Sequence, residues 1–306
     1  MFFKQKAVDD RKERFFMRYG IKPLPKREKE TFVMPSLNAE FVPIVEDFVK
    51  VMQNNFDEED LQSLYHNLKT LKIKYMKENP KHPTELEGSY KIFFNTIYVK
   101  RSAYEDALYH ELLHVASRRK HKRTVYSGFH VVNDSSIGYF LNEGYTDALT
   151  KRLFNKSETY NYESLVSLAL EEIIGKKIMG KFYLNGDVHS LINELSKYND
   201  IDNIESFFVY TDLVTTRYIT ENHIEYKKRL IEGMKNSITK YLIESFVNKN
   251  KDKESFLYDY KEYLLFLNCL VSDKNGIGYR LTDDMIDENI CDLSEFGIKK
   301  GLKKVS

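Results

Sequence analysis

Apolar residues recur every three or four positions in two stretches near the start of the chain, Phe41 to Met52 and Leu61 to Tyr75. This spacing places the apolar side chains on one face of a helix, so we predict two amphipathic helices. The second stretch follows the acidic run Asp57 to Asp60. Acidic residues are favourable at the positive end of a helix dipole, which supports a helix start there.

β-Branched and aromatic residues dominate the stretch Tyr90 to Val99. Such residues favour extended structure, so we predict a strand or a tight hairpin that turns near Asn95. Ser102 can then cap a helix, with Glu105 three residues later completing a capping box. We predict that this helix extends to about Arg119.

The rest of the chain is predicted to be mostly helical. Thr124 to Val132 is a second candidate for extended structure, and Asp134 or Ser135 can open the helix that follows it. Residues 1–35 carry many charges and three of the six prolines, so we expect a loosely packed arm or a short helix with a linker. Helical spacing of apolar residues returns in five further stretches: 162–177, 188–197, 203–219, 224–247 and 255–271.

The charge is nearly balanced, with 47 Lys and Arg against 46 Asp and Glu and a formal net charge of +1 over 306 residues. A balanced surface creates no field that favours nucleic acid or an anionic membrane. The basic run Arg118 to Arg123 has two interpretations, a nucleic-acid patch or cations at a helix C-terminus followed by a solvated loop. We favour the second and expect no nucleic-acid partner.

The sequence lacks a membrane span, a signal region and a disulfide framework, and these features bear on the compartment. The longest apolar run, Tyr263 to Val271, is far shorter than the roughly 20 residues that a helix needs to span a bilayer. Asp9 and Asp10 interrupt the N-terminus before an apolar signal region develops. The two cysteines, Cys269 and Cys291, form no disulfide framework. We expect a cytoplasmic protein without a membrane span, and export by a leaderless route stays open.

Candidate chemistry begins at His110-Glu111-Leu112-Leu113-His114. Histidines at i and i+4 project from the same face of a helix, so both imidazoles can bind one metal ion. Glu111 follows the first histidine directly. Its carboxylate lies beside such an ion, where it can take a proton from water on the metal.

A second motif, Asn142-Glu143-Gly144-Tyr145-Thr146-Asp147, follows about one helix and a loop later. Glu143 can supply a third ligand, and water then fills the fourth position, as in catalytic zinc sites. Asn142 and Asp147 are candidates for hydrogen bonds to the ligands. Gly144 inside a helix costs about 1 kcal/mol relative to alanine, and we expect close approach of the two metal-bearing helices to require it.

With these motifs the chain resembles the gluzincin class of zinc metallopeptidases, which includes thermolysin-like enzymes and related zinc aminopeptidases. Phe140 to Tyr145 looks like the aminopeptidase form of the second motif, and Asn142-Glu143 with Asp147 matches the thermolysin-like Asn-Glu-x-x-x-Asp. The resemblance covers about residues 90–150. It implies hydrolysis of peptide bonds with one zinc ion per chain, and Asp147 as the partner of His110. The implied residue roles are zinc ligands at His110, His114 and Glu143 and a general base at Glu111.

The implied fold is mainly helical α+β and zincin-like, with a small antiparallel sheet packed on the active-site helix and a helical C-terminal lobe. Residues 36–125 would hold the first helices, the sheet and the histidine helix. Residues 126–306 would form the helical lobe that carries Glu143, and the two parts would make one catalytic unit after the arm 1–35.

Two further parts of such a site are less well defined by the sequence. Peptide hydrolysis needs a hydrogen-bond donor for the developing oxyanion, and the candidates are Tyr126, His130, Tyr139, His189 and His223. A peptide or protein substrate can add a strand to a sheet edge. We predict this edge at Phe93, Phe94, Asn95 and Thr96, with a covered core strand as the alternative.

Three other functions stay open. The chain can be a non-catalytic zincin-like binding or regulatory protein, it can hydrolyse another amide, or it can be a phage- or host-interaction protein whose histidines are incidental. Retention of Glu111 beside a full ligand set argues against the first, because a structural zinc site needs no base and usually closes its fourth position.

Overall fold

The computed structural model describes residues 2–77, 87–156, 160–215 and 224–271. The helices are α1 (Phe2–Tyr19), α2 (Val42–Asn55), α3 (Gln62–Leu68), α4 (Tyr104–Ser117), α5 (Tyr139–Phe154), α6 (Asn161–Ile174), α7 (Lys176–Leu184), α8 (Val188–Leu195), α9 (Ile201–Val214), α10 (Ile224–Asn250) and α11 (Phe256–Val271). The strands are β1 (Lys72–Tyr75), β2 (Gly88–Lys91), β3 (Thr96–Val99), β4 (Arg118–His121), β5 (Thr124–Ser127) and β6 (His130–Val132). The chain is therefore mainly helical α+β.

Two three-stranded sheets flank the helix α4. The first has the order β1-β3-β2, in which β1 runs parallel to β3 and β2 runs antiparallel to it. The expected antiparallel sheet is thus mixed. The second sheet, β4-β5-β6, is antiparallel throughout. The predicted hairpin near Asn95 is confirmed, since β2 and β3 pair across a turn in which Asn95 has a φ of 48°.

The predicted helix from Leu61 to Tyr75 is wrong in its second half. Helix α3 ends at Leu68, and Lys72 to Tyr75 form β1, whose Ile73 pairs with Ile97 of β3. In these four residues lysines alternate with Ile73 and Tyr75, which is the period of a strand. The alternation is too short to be separated from helical spacing in the sequence.

The predicted boundaries of the histidine helix are also corrected. Helix α4 begins at Tyr104, its N-cap residue is Ala103, and the cap makes no side-chain hydrogen bond. The capping box of Ser102 and Glu105 is therefore not formed. At the other end, the helix stops before Arg118. Arg118 to His121 form β4, which pairs with β5, and not the predicted helix C-terminus and solvated loop.

Helix α5 lies inside the protein, and every residue from Phe140 to Thr150 is buried. Gly144 in α5 is required for close helix packing, but the helix it packs against is not the expected one. A Cβ on Gly144 would lie 2.1 Å from the backbone oxygen of Glu163 in α6. Gly144 therefore allows the close approach of α5 and α6, and not that of α5 and the histidine helix.

The N-terminal 35 residues contain more structure than a loose arm. Phe15 of α1 is buried, and Arg11 of the same helix pairs with Asp202 of α9 at 2.7 Å. One hydrophobic core joins residues of all parts of the described chain, including Phe48, Leu112 and Phe208. Among the described residues, no helix combines the length and apolar character needed to cross a membrane.

Candidate metal centre

Three potential ligand atoms converge between α4 and α5. The Nε2 atoms of His110 and His114 are 3.1 Å apart. Oε2 of Glu143 lies 3.5 Å from Nε2 of His110 and 3.6 Å from Nε2 of His114. Ligands bound tetrahedrally at 2.0–2.1 Å lie about 3.3 Å from one another. These buried or half-buried residues can therefore hold a metal ion with little rearrangement.

The charges of this group are strongly coupled. Burial by itself would raise the pKa of Glu143, but the two histidines outweigh it and hold that pKa well below its usual range. Burial would likewise lower the pKa of His110, yet the carboxylates of Asp147 and Glu143 outweigh it and raise the pKa to about 10. The site therefore favours a positive charge, supplied by either a proton or a metal ion.

Asp147 connects the metal group to α6. Its Oδ1 lies 3.8 Å from Nδ1 of His110, which leaves Nε2 of that histidine directed at the other ligands. Its Oδ2 accepts hydrogen bonds from the backbone N–H of Tyr160 and the hydroxyl of Ser164, both at 3.1 Å. A carboxylate behind a ligand histidine fixes the tautomer and orientation of the ring.

Asn142 lies behind the second histidine. Its side-chain nitrogen is 3.2 Å from Nδ1 of His114 and donates to Oε1 of Glu143 at 3.4 Å. Its oxygen is buried, and it has no hydrogen-bond partner among the described residues. The amide nitrogen faces Nδ1, so a reversed amide would let this oxygen accept the Nδ1–H that a metal-bound His114 carries.

Glu111 is buried at the edge of the same cavity. Burial raises the pKa of Glu111, while the two histidines and a hydrogen bond from the backbone of Tyr90 act in the opposite direction. The approach of β2 depends on Gly88, since a Cβ there would lie 2.8 Å from Oε1 of Glu111. A carboxylate with a raised pKa beside three metal-binding groups is suited to accept and return a proton.

The cavity beside these groups has a volume of about 250 Å³. Two of the predicted donors, His130 and Tyr139, line it, together with Tyr160, Ser127 and the chain from Gly88 to Ile92. Nε2 of His130 lies 2.6 Å from the hydroxyl of Ser136. Burial lowers the pKa of His130 to about 4, so this ring is neutral at neutral pH.

Tyr160 is a site residue for which the sequence offered no motif. Its ring stacks on that of His110, with centroids 6.0 Å apart and an angle of 26°. Burial and the nearby charge of Glu143 raise its pKa well above the usual value, and its phenol hydrogen bonds with that of Tyr139. The phenol of Tyr160 therefore stays protonated and can donate a hydrogen bond to an oxygen in the cavity.

Two other predicted donors, Tyr126 and His189, do not line this cavity. The hydroxyl of Tyr126 donates to the backbone oxygen of Gly20 at 2.9 Å. His189 packs against Phe16 at 4.6 Å between ring centroids, in a groove between α1 and α8. His223 lies outside the described residues. Tyr126 and His189 therefore lie away from the metal group, and each side chain contacts the N-terminal segment instead.

The residues predicted as a substrate edge do not form the sheet edge at the cavity. Thr96 begins β3, which is paired on both sides, and Asn95 turns into the protein to donate to the backbone oxygen of Asn67 at 2.7 Å. Phe93 and Phe94 are exposed in the hairpin turn. The edge of the sheet at the cavity is β2, whose residues Gly88 to Lys91 line it.

Comparison of the chain with models of protein families, with curated proteins and with solved structures finds no match.

Proposed function

We propose that this chain is a zinc-dependent metallopeptidase with a zincin-like catalytic unit of the gluzincin class. The observation that carries the proposal is the convergence of His110, His114 and Glu143 at the mutual distances that a tetrahedral ion requires. The buried carboxylate of Glu111 in the same cavity adds a base. A site that served only to stabilise the fold would need no such group.

The donor set supports zinc as the metal. Two imidazoles and one carboxylate form the His2Glu set of catalytic zinc sites, which leave one position open. A bound zinc ion polarises water and a substrate carbonyl, which promotes attack on the peptide bond. Asp147 orients His110 from behind and keeps its Nε2 directed into the site, and Asn142 lies in the corresponding position behind His114.

Glu111 acts as the general base in this proposal. Its carboxylate accepts a proton from the attacking water and then returns that proton to the nitrogen of the departing amine. Burial raises its pKa, which favours acceptance of that proton. The hydrogen bond from the backbone of Tyr90 keeps the carboxylate in place.

Tyr160 is the residue that we assign to the oxyanion. It keeps its proton because burial and Glu143 oppose its ionisation, and its stacking on His110 holds the ring beside the metal group. A donor placed where negative charge develops lowers the barrier more than it strengthens substrate binding. Neutral His130 is the second group in the cavity that can donate.

The strand β2 provides the surface for the substrate. Residues Gly88 to Lys91 pair with β3 on one side, and the same segment lines the cavity at Glu111. A peptide in extended conformation can add to such an edge through backbone hydrogen bonds, independently of its side chains. This edge supports peptides or unfolded protein segments as the substrate class.

Metal content tests the proposal. Wild type purified without chelator is expected to hold one zinc ion per chain. His110→Ala, His114→Ala and Glu143→Ala should each lose or weaken it, whereas Glu111→Gln should retain it and lose turnover. His66→Ala removes an exposed histidine on α3 and is the matched control. Zinc content that is unaffected by the ligand variants would contradict the proposal, and zinc without Glu111-dependent turnover would identify a binding or regulatory module.

A further inference from the structure

We propose that Asp212 of α9 is a positioning residue of the metal centre, because it holds the first turn of α5 and with it Tyr139 and Glu143. This inference rests on the proposed function. It means that α9 influences the geometry of the ligands through Asp212, a residue that contacts neither the metal group nor the cavity.

The start of α5 needs a partner from elsewhere in the protein. The first backbone amides of a helix have no acceptor within the helix. In α5 the N-cap residue is Gly138, which has no side chain to accept them, and the first turn contains no acidic residue. Since this end of the helix is packed within the protein, its amides need another acceptor.

Gly138 cannot be replaced by a residue that caps the helix itself. Its φ is +85°, in the left-handed region that favours glycine, and a Cβ there would lie 2.1 Å from the backbone oxygen of Phe129. Serine or aspartate, the usual capping residues, would therefore collide with the turn between β5 and β6. The close contact of Gly138 with this turn thus excludes a local cap.

Asp212 supplies the missing acceptors. Its Oδ2 accepts the backbone N–H of Gly138 at 2.7 Å, and its Oδ1 accepts that of Phe140 at 2.9 Å. The backbone N–H of Tyr139 also hydrogen bonds to this carboxylate. Three consecutive amides are thereby held by one side chain, and its negative charge lies at the positive end of the helix dipole.

Two parts of the metal centre depend on the turn that Asp212 holds. Tyr139 is its first residue, and the phenol of Tyr139 hydrogen bonds with Tyr160, which stacks on His110. Glu143 follows one turn later on the same helix. A first turn that frays or rotates therefore shifts the ligand carboxylate and the donor tyrosine together.

The experiment compares Asp212→Ala and Asp212→Asn with Asp187→Ala. Asparagine has the same shape and keeps one oxygen acceptor, so it also guards against a failure of the alanine variant to fold. Asp187→Ala removes an equivalent cap, since Oδ1 of Asp187 accepts the backbone N–H of Ser190 at 2.9 Å in α8. The readouts are amide hydrogen exchange of residues 138–145 in metal-free protein, zinc affinity by chelator competition, and the visible spectrum of the cobalt(II)-loaded protein.

We expect both Asp212 variants to exchange faster in residues 138–145, by about fivefold for alanine. Zinc binding should weaken by about tenfold for alanine and less for asparagine, with a changed cobalt spectrum. Asp187→Ala should alter none of these. Unchanged exchange, or faster exchange with unchanged zinc affinity and spectrum, would overturn the inference. Wild type that binds no zinc would instead contradict the proposed function, and the exchange result would still decide whether Asp212 holds α5.

Discussion

The side-chain nitrogen of Asn142 lies 3.2 Å from Nδ1 of His114, and the oxygen of the same amide is buried beside them without a partner among the described residues. An imidazole that binds metal through Nε2 carries its proton on Nδ1. That proton needs an acceptor. Because the two ends of a side-chain amide have nearly the same shape, a reversed Asn142 amide would provide one. We expect this reversal when metal binds.

Asn142→Ala is therefore expected to weaken zinc binding. Loss of a group that orients a ligand histidine typically costs about 10- to 100-fold in metal affinity. Chelator competition measures the affinity, and Asn199→Ala, which removes an amide that donates to Ser245 among the C-terminal helices, is the control. Equal zinc affinities of wild type and Asn142→Ala would show that this amide does not support the ligand.

Zinc binding is expected to release a proton from His110. Its pKa is raised to about 10, because the carboxylates of Asp147 and Glu143 outweigh burial, so at pH 7.5 the metal-free ring is protonated. A metal must displace this proton, and affinity therefore rises with pH, by about tenfold per unit while one proton is released. The zinc affinity is accordingly expected to fall at acidic pH.

Calorimetry of zinc binding at pH 7.5, in two buffers of different ionisation enthalpy, measures the number of protons released. Wild type should release about one proton per zinc from this histidine. Asp147→Asn should release fewer, since loss of the carboxylate charge lowers the pKa of His110. Binding without proton release would contradict the assigned ligand.

Tyr160→Phe is expected to reduce kcat and to leave KM and zinc affinity nearly unchanged. The phenol contributes a hydrogen bond mainly in the transition state, and removal of one such donor typically costs about 10²- to 10³-fold in kcat. Steady-state kinetics on a cleaved peptide measure both constants. Tyr162→Phe, on the same helix-start segment, is the control. A rise in KM with unchanged kcat would assign Tyr160 to substrate binding instead.

Gly144→Ala is expected to destabilise the protein. The new Cβ would lie 2.1 Å from the backbone oxygen of Glu163, and overpacking of this kind costs typically about 1–3 kcal/mol. Gly233→Ala is the matched control, because a Cβ at this position of α10 meets no atom within 4 Å. There, alanine should stabilise the helix by about 0.5–1 kcal/mol. Urea unfolding of both variants measures the difference, and equal stabilities would contradict the contact.

The parts of the site that sequence could predict are those set by local geometry. His110 and His114 lie four residues apart on one helix, as do Glu143 and Asp147, so each pair shares a helix face wherever the helix is packed. The contact between these two pairs could not be predicted from the spacing of residues along the chain. It depends on the packing of α4 against α5, and α5 is buried on all sides and thus lacks the one-sided apolar pattern that marks a surface helix.

The predictions from sequence were wrong where the structure of a segment depends on a partner that is distant along the chain. Lys72 to Tyr75 form a strand because β3 lies beside them, and Arg118 to His121 do so because β5 pairs with them. Neither segment carries enough apolar alternation to be separated from helical or turn structure by its own residues. Tyr160 and Asp212 were missed for the same reason, since their roles arise from contacts with His110 and with the start of α5.

Cleavage of a proteome-derived peptide library by zinc-loaded wild type and zinc-loaded Glu111→Gln tests the central claim most directly. Glu105→Gln, an exposed exchange of the same kind on α4, is the control that should keep full activity. The proposed function predicts cuts by wild type and Glu105→Gln that disappear with Glu111→Gln while all three proteins hold one zinc ion. Cuts shared equally by wild type and Glu111→Gln, or none by any zinc-loaded protein, would contradict it.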